Sequence, residues 1–285
     1  MSKEKKELKF AFLVMYELRA IRKTIEKLQK YIIDFYNADV FILCQRQFPD
    51  DDERIKLFNK NVIYSRLYDK PNPEEYFSKD SNFFINTGQG NWKSPGNCQV
   101  YINNYEYYKI MKNYYQNYDY FICMRVDIDI LFDFPDKELF QIIPNDIYSF
   151  NPEYARQWSG SGGGNFVHRD FILDYLSSYW NLLTNSNHRQ LLINYANNSH
   201  ILNQEKMLEL ALKVKDISMY FINNINYYYT AETLNDYTTF ADIKMHPEYK
   251  VIYKYKKQVD EAFCTLNFWK SGKIWSFINE TIKLN

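Results

Sequence analysis

The chain has 285 residues, of which 46% are hydrophobic, enough for one large α/β domain or one domain with a small appendage. Lys+Arg and Asp+Glu both number 35, so the formal net charge is zero, without the basic excess typical of nucleic-acid binders. The four cysteines (Cys44, Cys98, Cys123, Cys264) lie far apart with no CxxC spacing, which predicts reduced, mostly buried thiols in a cytoplasmic protein.

The first lysines and the apolar run after them imitate a signal peptide. The run ends at Glu17 and Arg19 with no small-residue cleavage site, so it is read as the first core strand. No run reaches the roughly 18 apolar residues of a membrane span. "LKFAFLVMYEL" (8–18) is almost continuously apolar, as in a strand buried on both faces. Ile21, Ile25, Leu28, Ile32 and Phe35 follow at helical spacing, and "ADVFILCQ" (38–45) is a second buried strand. Strand, helix and strand within about forty residues form the βαβ unit of a parallel sheet.

"NVIYSRLYD" (61–69) predicts a third strand and residues 98–117 a tyrosine-rich helix. "YDYFICMRVDIDILF" (118–132) predicts one central strand, and "NDIYSFN" (145–151) another. The glycine-rich "SGSGGGN" (159–165) precedes helices predicted over 168–183 and 203–214, the latter capped by Asn203. "YFINNINYYYT" and "KVIYKYKK" suggest short strands, and "FWKSGKIWSFINETI" a terminal helix. No internal repeat or long linker divides the chain. The expectation is one domain over 1–285, with a donor-binding half near 8–135 and an acceptor half with a C-terminal extension over about 136–285.

Parallel α/β sheets bind ligands beyond the carboxyl ends of their strands. Asp127 and Asp129 fall at the end of the most hydrophobic strand, and strand alternation would put both on one face. Two buried carboxylates need a partner. It is either a hard divalent cation such as Mg2+ or Mn2+, which takes oxygen ligands, or Arg125 with nearby lysines. Arg19, just past the first strand, is a candidate phosphate contact or a surface arginine of the helix's first turn. The glycine run lacks the G-x-G-x-x-G spacing and the P-loop lysine. It suits a loop whose backbone, at Gly162 and Gly163, approaches a sugar or phosphate beside Trp158, or a surface loop with no contacts. His246 either completes a metal site or is exposed. His168, His188 and His200 read as structural or surface residues. No serine- or cysteine-hydrolase pattern and no HExxH is present.

Several stretches together resemble the nucleotide-sugar-dependent glycosyltransferases of the GT-A fold, of the kind found in bacterial surface-polysaccharide loci and large DNA viruses. They are "LRAIRKTIEKL", "NADVFILC", "CQVYINNYEYYKIM", "YDYFICMRVDIDILF" and "GGGNFVHRD", within about residues 8–215. The resemblance implies a Rossmann-type, mixed but mostly parallel sheet flanked by helices. It further implies a sugar transferred from a nucleotide diphosphate donor, with a UDP-sugar favoured, to a glycan or glycoconjugate acceptor. Asp129 would be the main ligand of Mn2+ (or Mg2+), Asp127 would face the ribose or the metal's water, and His246 would be a further metal ligand. Arg125 would contact donor or metal-site carboxylates. Glu205 would be the acceptor-side base, with Asp170 next in line. The expected location is the cytoplasm, the host's if the source is viral. Two rivals are a non-catalytic carbohydrate-binding protein of the same fold and a metal-dependent phosphoesterase or nucleotidyltransferase.

Overall fold

A computed structural model of the chain describes residues 7–69, 72–76, 95–131, 135–150, 164–198, 204–222, 227–229, 244–245, 247–248, 250–253 and 259–260. The first strand, β1 (Phe10–Val14), is followed by α1 (Ile21–Leu28), which runs on into a π-helical turn at Gln29–Asp34. β2 (Asp39–Gln45), α2 (Asp51–Ile55), β3 (Val62–Tyr68) and α3 (Pro73–Tyr76) come next. The long helix α4 (Pro95–Met111) leads to β4 (Tyr120–Met124), β5 (Ile128–Ile130) and α5 (Leu139–Ile142). β6 (Ile147–Phe150) and β7 (Gly164–His168) precede α6 (Arg169–Thr184), α7 (Ser186–Asn198) and α8 (Gln204–Lys213). β8 (Met219–Ile222), β9 (Tyr227–Tyr229), β10 (Lys244–Met245) and β11 (Ile252–Tyr253) complete the described strands.

Seven strands form one sheet in the order β3-β2-β1-β4-β7-β6-β8. β1 to β4 are mutually parallel, β6 pairs in parallel with β8, and β7 runs antiparallel between β4 and β6. This is the mixed, mostly parallel α/β sheet that the strand–helix alternation predicts. β5 pairs with β9 and β10 with β11 in two small ribbons.

Period-two alternation divides the buried strands between two cores. Phe10, Phe12, Val14, Val40, Ile42, Ile122 and Met124 face one side, with Ile21, Leu28, Ile32 and Tyr36 of the first helical segment. Ala11, Leu13, Phe41, Leu43, Phe121 and Cys123 face the other, packed by Tyr101, Tyr107, Leu176, Met207 and Leu212 of α4, α6 and α8. Cys44 and Cys123 are buried free thiols, as expected. Among the described residues, no helix is long and apolar enough to cross a membrane.

At the carboxyl end of the sheet, β1 and β2 are joined through a side chain. The Tyr107 hydroxyl accepts from Leu43 N–H (2.9 Å) and donates to the Val14 carbonyl (2.6 Å), with the Phe41 carbonyl also in range at 2.9 Å. One helical turn earlier, Asn103 accepts from Tyr16 N–H (3.2 Å) and donates to the Leu43 carbonyl (2.7 Å) and the Tyr68 hydroxyl (3.0 Å). The two residues satisfy main-chain groups that a parallel ladder leaves open where its strands stop.

Tyr107→Phe keeps the ring and removes the oxygen that serves both strands. Because buried backbone groups then lose a partner, stability should fall by about 1–3 kcal/mol. Urea unfolding of the two proteins checks this.

Candidate functional site

Because β1 to β4 share one direction, Met15, Gln45, Tyr68 and Arg125 all emerge at one edge of the sheet. β7 is antiparallel, so its first residue, Gly164, opposes Met124 at that same edge, and its last, His168, opposes Tyr120 at the other. Asp127, Asp129, Arg125 and Arg19 therefore belong to the carboxyl side.

The turn leaving β1 is strained. Tyr16 has φ 76°, Glu17 N–H reaches back to the Met15 carbonyl (3.1 Å), and Ala20 has φ 59°. A three-residue turn at positive φ is rare for a bulky residue. It is held from three sides: Asn103 takes Tyr16 N–H, Gln45 N–H donates to the Tyr16 carbonyl (2.8 Å), and Arg54 donates to the Leu18 carbonyl (3.1 Å). The turn delivers Glu17 and Arg19 to the edge as an ion pair, with side chains 11% and 21% exposed.

The Asp pair differs from the single strand read from the sequence. β4 ends at Met124, where its neighbours also end: Met15 N–H takes the Met124 carbonyl (3.0 Å) and β7 begins opposite. The chain then bends through Val126 and Asp127, and β5 leaves the main sheet to pair with β9, Asp129 opposite Tyr228. Alternation does not run across that break, so the one-face argument fails. Asp127 is gripped by Arg125 through two contacts, Nε to Oδ1 at 2.8 Å and Nη2 to Oδ2 at 2.5 Å. Asp129 is paired with Lys27 of α1. Both carboxylates are buried.

α1 positions the bend. Ala20, Thr24 and Lys27 lie along one face of the helix, and the buried Thr24 hydroxyl donates to the Val126 carbonyl (2.6 Å). The Asp127–Asp129 segment is thus braced by the same helix that β1's turn initiates.

Glu17 was not singled out as a site residue from the sequence. The only signal was position, a carboxylate directly after a buried strand, as Arg125 is a cation directly after β4. Burial pushes its carboxyl above the ordinary value of 4.5, opposed by the charges of Arg19 and Arg125 and reinforced by Asp127. Three carboxylates (Glu17, Asp127, Asp129) and three cations (Arg19, Arg125, Lys27) therefore gather at the edge.

The remaining predicted residues separate. Asp170 starts α6, beyond the last residue of β7, and so sits at the amino edge, roughly 16 Å of strand from Gly164. That placement separates it from the Asp pair and argues against a role there. The same edge holds a depression of about 310 Å³ lined by Asp119, Tyr120, His168 and Arg169, remote from the charged cluster. His168 is structural, as expected: buried, it caps α6 by accepting Asp170 N–H at Nδ1 (3.3 Å). Glu205 lies in the first turn of α8, which feeds β8 and so begins toward the carboxyl side. Gly162, Gly163, Trp158, His246, the cap Asn203 and the terminal helix fall outside the described residues. Gly164 itself serves packing, since a Cβ there would meet the Phe150 ring at 2.6 Å and Met124 Cγ at 2.9 Å.

The donor chemistry fits a hard cation of the Mg2+ or Mn2+ type. Such ions take one or two protein carboxylates and complete their shell with phosphate and water. Among the described residues no group of three or more His, Cys, Asp or Glu is arranged to hold a metal ion, so the described share of such a site would be the Asp pair.

No protein-family model and no curated protein matches the chain. Among solved structures, it is similar to the apo form of mouse xyloside xylosyltransferase 1. The two are 11% identical with a TM-score of 0.41, and the match covers 72% of this chain and 82% of that one.

The raised pKa of Glu17 has a sign that can be tested. Between 4.5 and its higher folded value, the native state keeps a proton that the unfolded chain has released. Stability contributed by this group therefore falls as pH rises through that window. In metal-free buffer, Glu17→Gln should melt at the same or a higher temperature than the unmutated protein at neutral pH. The difference between the two should shrink toward pH 4.5.

Proposed function

We propose that the chain is a glycosyltransferase that moves a sugar from a nucleotide diphosphate donor, a UDP-sugar favoured, to a glycan or glycoconjugate acceptor. The observation that carries this reading is the gathering of Glu17, Arg19, Arg125, Asp127, Asp129 and Lys27 where β1 and β4 end, beside a strained turn. The GT-A resemblance of the D-x-D segment points the same way.

In this reading Asp129, with Asp127, holds Mn2+ or Mg2+, and His246 is a further candidate ligand. The bound cation supplies positive charge against the departing diphosphate. Arg19 and Arg125 are the guanidiniums available to phosphate oxygens, and each is already aimed by a carboxylate, Glu17 or Asp127. Lys27 orients Asp129 until the cation arrives. Gly162 and Gly163 bring backbone close to the donor. Glu205 accepts the proton of the acceptor hydroxyl.

A second reading has an observation in its favour. Each aspartate already owns a cation of the chain, as in a carbohydrate-binding protein that keeps the fold without catalysis. A phosphoesterase or nucleotidyltransferase draws no such support, since the described residues contain no denser acidic or histidine cluster.

Titration calorimetry of UDP with and without Mn2+ separates these. Binding should need the metal, and Asp129→Asn should abolish the metal-dependent part while leaving the protein folded. Equal affinity in EDTA and in the variant would sink the proposal. Incubation with nucleotide sugars tests turnover, because a binder releases no nucleotide.

Glu205→Gln carries a separate expectation. Transfer to acceptor should drop by roughly 10²–10⁴ with donor affinity nearly unchanged, as for loss of a general base. Transfer within a few-fold of the unmutated protein would remove Glu205 from the mechanism.

A further inference from the structure

The depression at the amino edge, about 310 Å³ in volume, has no part in the charged cluster. Sites for small ligands begin at roughly 300 Å³, so the space suits one ring-sized molecule. Three segments meet there. Asp119 and Tyr120 come from the start of β4, Phe140 and Asn145 from α5 and the turn after it, His168 and Arg169 from the passage of β7 into α6.

Its floor is rigid. Tyr120, Phe140 and His168 are buried, and the Tyr120 ring lies 4.9 Å from Phe140 and 5.0 Å from His168, centroid to centroid. Asp119 is buried too, and its carboxylate accepts Lys9 N–H (3.0 Å). Arg169 N–H donates to the Asp119 carbonyl (2.9 Å), which fixes the start of α6 against the start of β4.

Two polar groups on this floor have hydrogen-bonding capacity to spare. The Arg169 side chain, 34% exposed, faces Asp119 Oδ1 at 3.7 Å, an ion pair too long for a hydrogen bond. Its guanidinium makes no hydrogen bond among the described residues, and neither does the exposed amide of Asn145. Both are flat forks of adjacent polar atoms, one made of donors and the other of a donor and an acceptor.

Charge decides what such a floor accepts. An anion drawn to Arg169 also meets the Asp119 carboxylate. Burial, with Asp119, Asp146 and Asp170 nearby, pushes the Tyr120 hydroxyl up to about 12, and those three carboxylates repel an anion as well. A cation drawn to Asp119 finds Arg169 already beside it. A neutral ring with neighbouring hydroxyls escapes both objections, because each hydroxyl donates and accepts. Its C–H face can rest on the aromatic floor while its hydroxyls meet the forks.

We propose that this depression binds one neutral sugar ring, at a site separate from the charged cluster and on the opposite edge of the sheet. Anchoring of an acceptor glycan through that ring rests on the glycosyltransferase reading; the binding itself does not.

Saturation-transfer NMR of the whole chain in EDTA, with methyl glycosides of neutral pentoses and hexoses, tests the site. Methyl glucuronide and glucosamine serve as charged comparators. At least one neutral glycoside should take up saturation, and its addition should shift the Nε–H resonance of Arg169, assigned through Arg169→Lys. Asn145→Trp fills the depression from an exposed position and should weaken binding roughly tenfold or more. Asp129→Asn, at the far edge, should leave it intact. Asn145→Trp should melt with the parent and bind UDP as the parent does, so failure of this site is told apart from failure of the donor reading. The assignment is overturned if no neutral glycoside takes up saturation, or if only the charged comparators do. Binding untouched by Asn145→Trp, or lost in Asp129→Asn, would overturn it equally.

Discussion

Everything at the carboxyl edge depends on how the parallel ladder is brought to a stop. Parallel strands that end together leave a row of backbone groups with no neighbour, and those groups are too buried for water to serve them. Tyr107 and Asn103 supply the missing partners from α4, tying β1, β2 and the tip of β3 to one helix. With the ladder closed this way, β1 can leave through a turn that its residues would not otherwise choose. The strain at Tyr16 is local, and its restraints are three hydrogen bonds from three different segments. Strain that the surroundings over-determine is common where side chains must be aimed.

The charges that this turn and the bend after β4 deliver are balanced pair by pair. Arg19 answers Glu17, Arg125 answers Asp127 and Lys27 answers Asp129. Such an arrangement tolerates burial, because each ion keeps a counter-ion, and it is also able to exchange partners. A phosphate entering beside Arg19 and Arg125 competes with carboxylates, while a cation entering beside Asp129 competes with Lys27. Ligands of opposite sign arriving together would therefore cost less reorganisation than either alone. The cations are the accessible members, Lys27 39%, Arg125 26% and Arg19 21% exposed against 2% for Asp127, so the first contact of an incoming anion is with them.

Much of the architecture was legible because the signals were strong and local. β1, β2 and β4 are apolar on both faces, and α6 (169–184) begins within a residue of its expected start. The D-x-D segment was placed at the correct edge but with the wrong local shape. A run such as "FICMRVDIDILF" carries no mark of the break after Met124, which is imposed by where β1 and β7 end. The direction of β7 was equally hidden. With a strand parallel to β4, Asp170 would have come back to the ligand edge; antiparallel pairing sends it to the far side. Glu17 escaped because a charge after an apolar run looks like the end of a strand, and only the folded chain shows that it stays inside.

The brace between α1 and the bend at Val126 restricts how this chain can vary over evolutionary time. Its contacts come from Thr24 and Lys27, a pair that faces the bend only at one rotational phase of the helix. Each inserted or deleted residue turns everything downstream by about 100°. A single-residue indel between 21 and 27 would swing Lys27 away from Asp129, however well the helix itself survived.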